Sequence, residues 1–153
     1  VRVLRQLFRL RGSRRLFRAP DDNGGRVRPI TAREVNRFIA DASGADISAK
    51  DFRTFRASAE ALAILTEHNG HETEKLRKQA VVHAADTASK ILVNTRSVAR
   101  SSYIHPGVIK AYEAGKLKAL KFRGRARSGL NKIESALMRF LERGKATIER
   151  LDK

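Results

Sequence analysis

Two stretches hold most of the side chains able to do chemistry in this 153-residue chain. The first, Lys50-Asp51-Phe52-Arg53-Thr54-Phe55, sets two cations three residues apart. The second runs Asn94-Thr95-Arg96-Ser97-Val98-Ala99-Arg100-Ser101-Ser102-Tyr103-Ile104-His105-Pro106 and brings an amide, a phenol and an imidazole close together in the chain. Arg53 is suited to a phosphate: its planar guanidinium donates two parallel hydrogen bonds to nonbridging oxygens and stays cationic at any working pH. The amide of Asn94 is a neutral hydrogen-bond donor and acceptor that adds no charge. Each residue also has an ordinary reading. Arg53 pairs with Asp51 or Glu60 on a helix surface, Asn94 terminates a helix in the left-handed conformation, and Tyr103 and Tyr112 pack against a core.

Composition narrows the partner. The chain has 33 Lys and Arg against 16 Asp and Glu, a net charge of +17, and a field of that size attracts polyanions. Residues 1–30 hold nine basic residues against two acidic, and 116–153 hold twelve against four, while 31–115 are nearly balanced at twelve against ten. This is a near-neutral scaffold with basic flanks, as expected of a protein whose ends track phosphates. An anionic membrane surface is the lesser reading, because it calls for a basic helix with a bulky apolar face. There is no Cys, so no disulfide or thiolate metal site, and the four His are scattered. No apolar run approaches the roughly 18 residues that span a bilayer, and a reducing, cytoplasmic setting fits.

The elements that must hold these residues are mainly helical. Leu4, Leu7 and Phe8 share a stripe of a first helix, and Leu16-Phe17 gives a short apolar anchor. The run Asp21-Asp22-Asn23-Gly24-Gly25 joins two short strands, giving a small β-hairpin near residues 16–30. Thr31 and Glu34 have the spacing of a capping box and start a helix with Val35, Phe38, Ile39 and Ala42 on its buried face, ended by Gly44. Ser48 and Asp51 repeat that signature for a helix to about Glu67, with Phe52, Phe55 and Ala59 on one face. A further helix, from about Glu72 to Val93, carries Leu76, Ala80, Ala84, Ala88 and Leu92, and Pro106 and Gly115 bracket a short one. Lys116 to Gly129 is a basic linker expected to be mobile without DNA. A terminal helix over 130–151 follows, with Ile133, Ala136, Leu137, Phe140 and Leu141 on a core face that Ile148 and Leu151 extend.

The two stretches resemble type IB DNA topoisomerases, particularly the short bacterial and poxvirus-like branch. That family has the form K-D-x-R-T-aromatic around a catalytic Arg and S-Y-I-H-P around a tyrosine nucleophile, in this order and about fifty residues apart, as here. Weaker likeness extends over Leu16-Phe17, Glu34-Val35-Asn36, Ala111-Tyr112 and Leu137 to Gly144. The resemblance implies a mainly α fold of the topoisomerase IB and tyrosine recombinase type, here as one partial domain over 1–153. It implies Tyr103 as nucleophile, Arg53 as the cation on the phosphate, Asn94 as a phosphate hydrogen-bond donor in place of the His of some members, and Lys50 as a supporting contact. Lys50, Arg100, Lys116, Lys118, Lys121 and Arg123 are the expected DNA contacts. His105 is expected to orient its neighbours rather than move a proton, and Tyr112 to pack.

The implied reaction makes a 3′-phosphotyrosyl link and a free 5′-hydroxyl on double-stranded DNA, then reverses, with no metal, ATP or other cofactor and with the enzyme as a monomer. The family also uses an Arg and a general-acid Lys upstream of the catalytic Arg. No Lys occurs before Lys50, and the only methionine is Met138, so the chain is expected to be a piece of a longer protein and nearly inactive alone. Two alternatives remain open. A tyrosine recombinase relative would show H-x-x-R where Lys50 to Arg53 stands, and a non-enzymatic basic DNA-binding module would need only the composition.

Overall fold

The computed structural model describes residues 2–11, 14–21, 24, 26–68, 70, 73–119, 122 and 126–151, the side chains at 118, 119 and 145–151 excepted. The chain divides into two compact units, Val1–Ala49 and Lys50–Lys153. Among the described residues there are seven α-helices, one 3-10 turn and one two-stranded antiparallel sheet, the mainly α class with the small hairpin expected. None of these helices is long and apolar enough to cross a membrane.

The first unit contains α1 (Arg2–Arg9), β1 (Arg18–Pro20), β2 (Val27–Pro29) and α2 (Ala32–Ser43). Arg18 faces Pro29 and Pro20 faces Val27 across the hairpin. Its turn is closed at Asp21, whose N–H donates to the Arg26 carbonyl at 2.8 Å and whose carboxylate accepts the Arg26 N–H. Pro20 and Pro29 have no N–H to give a ladder, which suits a strand pair this short. At the start of α2 the Thr31 hydroxyl accepts the Glu34 N–H at 3.2 Å and Glu34 accepts the Thr31 N–H at 2.8 Å. At its end Gly44, at φ 67°, donates to the Ala40 carbonyl.

The expected buried face of α2 is not buried. Val35 and Ala42 are exposed, Phe38 is 72% exposed, Ile39 is half-buried, and no described residue of this unit is fully covered. Helical spacing says which residues share a face, whereas covering that face takes apolar partners that a unit of forty-nine residues, small for a core of its own, does not supply.

The second unit contains α3 (Ala49–Glu67), α4 (Glu74–Leu92), α5 (Arg96–Ser102), α6 (Pro106–Glu113), a 3-10 turn at Lys116–Ala119, and α7 (Lys132–Leu151). Its core is built on alanine. Ala57, Ala59 and Ala61 of α3 and Ala80, Ala84, Ala85 and Ala88 of α4 are buried, and Leu62, Leu65, Val108, Tyr112, Leu117 and Leu137 fill the space around them. Of the series expected along α4, Leu76 is 41% exposed and the other four are buried. Phe52 is likewise exposed, Phe55 half-buried and Ala59 buried, so the α3 face meets the core only after its first turn. The α7 face is as expected from Ile133 to Leu141, and the side chains of Ile148 and Leu151 lie outside the described residues.

One further expectation is corrected. The residue in the left-handed conformation at the end of α4 is Val93, at φ 54°, and Asn94 follows it with its N–H on the Ser89 carbonyl at 3.0 Å. Among the described residues of 116–129, Leu117 is fully buried, and Arg127 donates its N–H to the Ser135 hydroxyl and its guanidinium to both oxygens of Glu142 at 2.7 and 2.8 Å.

Candidate active site

Three helix segments of the second unit meet around Arg53. It lies on the second turn of α3, and its Nη2 donates to the Leu92 carbonyl at 3.0 Å. That oxygen sits at the carboxyl end of α4, the negative pole of the helix, where a cation is favoured. The guanidinium carbon lies 5.0 Å from the centre of the Tyr103 ring, within cation–π range. Arg53 therefore faces neither Asp51 nor Glu60 in the ordinary way, since Glu60 is held by Arg56 at 2.6 Å. With one Nη on a carbonyl and the plane beside the phenol, the remaining N–H groups are left for a ligand.

Tyr103 is half-buried and ends α5, its N–H on the Ala99 carbonyl at 3.1 Å. Ile104, buried at 4% exposure, donates to the same carbonyl and anchors the segment in the core. Asn94 is half-buried two residues beyond the carbonyl that holds Arg53, and among the described residues its side chain has no hydrogen-bond partner. Thr95 then starts α5, its hydroxyl accepting the Val98 N–H. Lys50 lies one turn before Arg53 on the same helix and is exposed. The structure thus brings Arg53, Tyr103 and the end of α4 together.

The other expected contacts are spread out. Arg100 is exposed on α5 and lines a cleft of about 620 Å³ with Arg96, Ser97, Ser101 and Lys110. Lys116 is exposed at the start of the 3-10 turn. The side chain of Lys118, and Lys121 and Arg123 altogether, lie outside the described residues. Among the described residues no cluster of His, Asp or Glu is arranged to hold a metal ion.

His105 caps α6, its Nδ1 accepting the Gly107 N–H at 3.1 Å. A Cβ at Gly107 would come within 3.0 Å of that nitrogen, so the glycine is what lets the imidazole close over the helix start. Tyr112 is the contrasting tyrosine. It is 3% exposed, donates its hydroxyl to the His68 carbonyl at 3.2 Å, and has its phenol pushed above the usual 10.0 by burial, with Arg77 acting the other way.

Sequence reasoning missed one residue. Ser58, in the alanine-rich middle of α3, is 1% exposed, and its hydroxyl donates to the Tyr103 carbonyl at 3.3 Å and accepts the His105 N–H at 2.9 Å. Nothing in its immediate sequence marks it, because a Ser among alanines on a helix reads as a small packing residue.

Residues 6–127 match the family described as the eukaryotic DNA topoisomerase I catalytic core, a span that takes in Arg53, Asn94 and Tyr103. The chain belongs to that family and is a type IB topoisomerase chain. It is also similar to DNA topoisomerase 1B of Acanthamoeba polyphaga mimivirus, with 26% identity over 116 residues. That similarity covers 72% of this chain and 34% of the viral protein, so the chain spans about a third of the relative's length.

Proposed function

We propose that the full-length protein carrying this chain relaxes supercoiled DNA by transient single-strand cleavage, with Tyr103 as the nucleophile. The phenol oxygen attacks a backbone phosphorus, the bond to the 5′-oxygen breaks, and a 3′-phosphotyrosyl link forms as the phenol gives up its proton and the 5′-oxygen gains one. The strand swivels, and the 5′-hydroxyl then attacks the phosphotyrosyl phosphorus, expels the phenol and restores the backbone. Because the link retains the phosphodiester energy, neither ATP nor a metal enters the cycle.

The observation that carries this reading is the guanidinium of Arg53 5.0 Å from the Tyr103 ring while bonded to the Leu92 carbonyl. A phenol is a weak acid at neutral pH, so attack depends on fixed donors that stabilise negative charge as it develops on the phosphate. Arg53 supplies charge and a planar fork, Asn94 a neutral donor, and Lys50 a further cation on the flank. Arg100, Lys116, Lys118, Lys121 and Arg123 hold the duplex through its phosphates, making binding steeply dependent on salt. The protein acts as a monomer at the nucleoid. The 153-residue chain by itself is expected to be nearly inactive, because loss of a general acid removes a factor of about 10² to 10⁴ in rate and no Lys precedes Lys50.

The test is relaxation of supercoiled plasmid by the full-length protein in EDTA without ATP. Wild-type protein relaxes the plasmid and Tyr103→Phe does not. Relaxation that survives the substitution would sink the mechanism.

A further inference from the structure

The nucleophile must meet the phosphorus within a few tenths of an ångström, yet Tyr103 stands at the very end of a seven-residue helix. Beside the buried Ile104, a single hydroxyl ties down the backbone there. Ser58 Oγ bridges the backbone on either side of Ile104, donating to the Tyr103 carbonyl at 3.3 Å and accepting the His105 N–H at 2.9 Å. The N–H of Tyr103 is meanwhile held by the Ala99 carbonyl at 3.1 Å, so both polar groups of the nucleophile's backbone are engaged. Ser58 lies on α3 five residues after Arg53, and between them the helix has no break. The cation and the anchor of the nucleophile are thus parts of one rigid rod.

Burial gives that bridge its directing force. Ser58 is 1% exposed between Ala57 and Ala59, both fully buried, so water cannot replace its hydroxyl. Without it the Tyr103 carbonyl and the His105 N–H, both in partly buried contacts, lose this partner, and the 103–105 segment gains by shifting toward other donors and acceptors. Such a shift moves the phenol relative to Arg53, and a displacement of about 1 Å in a reacting group can cost roughly a hundredfold in rate.

We propose that Ser58 is a positioning residue for the DNA cleavage reaction, its hydroxyl setting the place of Tyr103 relative to Arg53. This rests on the reading of Tyr103 as the nucleophile. Ser58 touches neither DNA nor the reacting atoms; it acts through the backbone of the nucleophile.

The experiment is single-turnover cleavage by the full-length protein, with saturating enzyme and an end-labelled duplex nicked so that the cleaved strand dissociates. Rate and final amount of covalent adduct are read separately. A fold defect lowers the amount, because fewer molecules are competent, whereas a misplaced nucleophile lowers the rate and leaves the amount intact. Ser58→Ala is expected to slow adduct formation by about ten- to a hundredfold at full amplitude, with DNA affinity within about twofold of wild type. Ser58→Cys, nearly the same shape but a weak donor and acceptor, is expected to fall between the two. Ser135→Ala, which removes an equally buried hydroxyl bonded to the Arg127 N–H, controls for loss of a core hydrogen bond and is expected to keep the wild-type rate. An Ala or Cys variant with a wild-type rate overturns the proposal, as does an Ala variant that loses only amplitude. Adduct formation by Tyr103→Phe would instead overturn the proposed function itself, a result separate from any behaviour of Ser58.

Discussion

Substitution of Arg53 gives the sharpest test of how the site works, because its two contacts divide charge from geometry. A charge-assisted hydrogen bond to the Leu92 carbonyl contributes about 1.5–3 kcal/mol and an exposed cation–π contact about 0.5–1 kcal/mol. Together they match or exceed the roughly 1.5–2 kcal/mol of rotamer freedom that an Arg side chain gives up on being fixed. The guanidinium is therefore set in place before DNA arrives. Arg53→Ala removes both the charge and the fork, and loss of one preorganised donor to a developing oxyanion costs about 10² to 10³ in rate. Arg53→Lys keeps the charge, but a compact ammonium cannot bond the Leu92 carbonyl and two phosphate oxygens together, so a loss of about ten- to a hundredfold is expected. The assay is single-turnover formation of the covalent adduct by the full-length protein, with DNA affinity measured across a salt series. Affinity is expected to weaken only a few-fold, with the slope against log salt reduced by about 0.9 for one lost phosphate contact. A Lys variant as fast as wild type, or an Ala variant slowed less than about threefold, would refute the assignment.

Three further outcomes follow from particular residues. Val93 is 90% exposed at φ 54°, a conformation that costs a β-branched residue about 1–3 kcal/mol, against roughly 0.5–1 kcal/mol of extra chain entropy for glycine. Val93→Gly should therefore raise stability by about 1 kcal/mol in thermal denaturation, and a lower melting temperature would mean that the valine is unstrained. The Glu34 carboxyl is held down from 4.5 to about 2 by hydrogen bonds from the Thr31 backbone and hydroxyl and then by Arg28. Its folded value lies below its unfolded one, so the stabilisation it gives is complete above about pH 4.5 and is lost as pH falls toward about 2. Glu34→Gln should remove that part of the acid dependence of α2, followed by carboxyl-carbon NMR and helical circular dichroism; an unchanged profile would show that the capping box does not hold in solution. Tyr112→Phe removes the hydroxyl that donates to the carbonyl of half-buried His68 and should cost about 1 kcal/mol of stability while leaving the cleavage rate unchanged. Loss of cleavage in that variant would question which of the two tyrosines reacts.

The sequence by itself determined the features that depend on near neighbours. Thr31 and Glu34 start α2 because a capping box needs only residues three apart, and Asp21 closes the hairpin turn onto Arg26 because the bend is local. The spacing of Ala80, Ala84, Ala88 and Leu92 defined a core face of α4, and the two motifs singled out Arg53 and Tyr103 fifty residues apart. Only the tertiary structure decided what meets what. That Phe38 and Val35 stand exposed depends on whether anything covers α2, which periodicity cannot report. The left-handed turn falls on Val93 rather than Asn94 because the packing of α4 against α5 sets where the chain must reverse, overriding the local preference of Asn. Arg53 finds the Leu92 carbonyl rather than the nearby acids, and Ser58 finds Tyr103 and His105, through contacts that span thirty-nine, forty-five and forty-seven residues. Such partners share no periodicity and no motif; they are selected by how the alanine-rich core packs, a property of the packed whole.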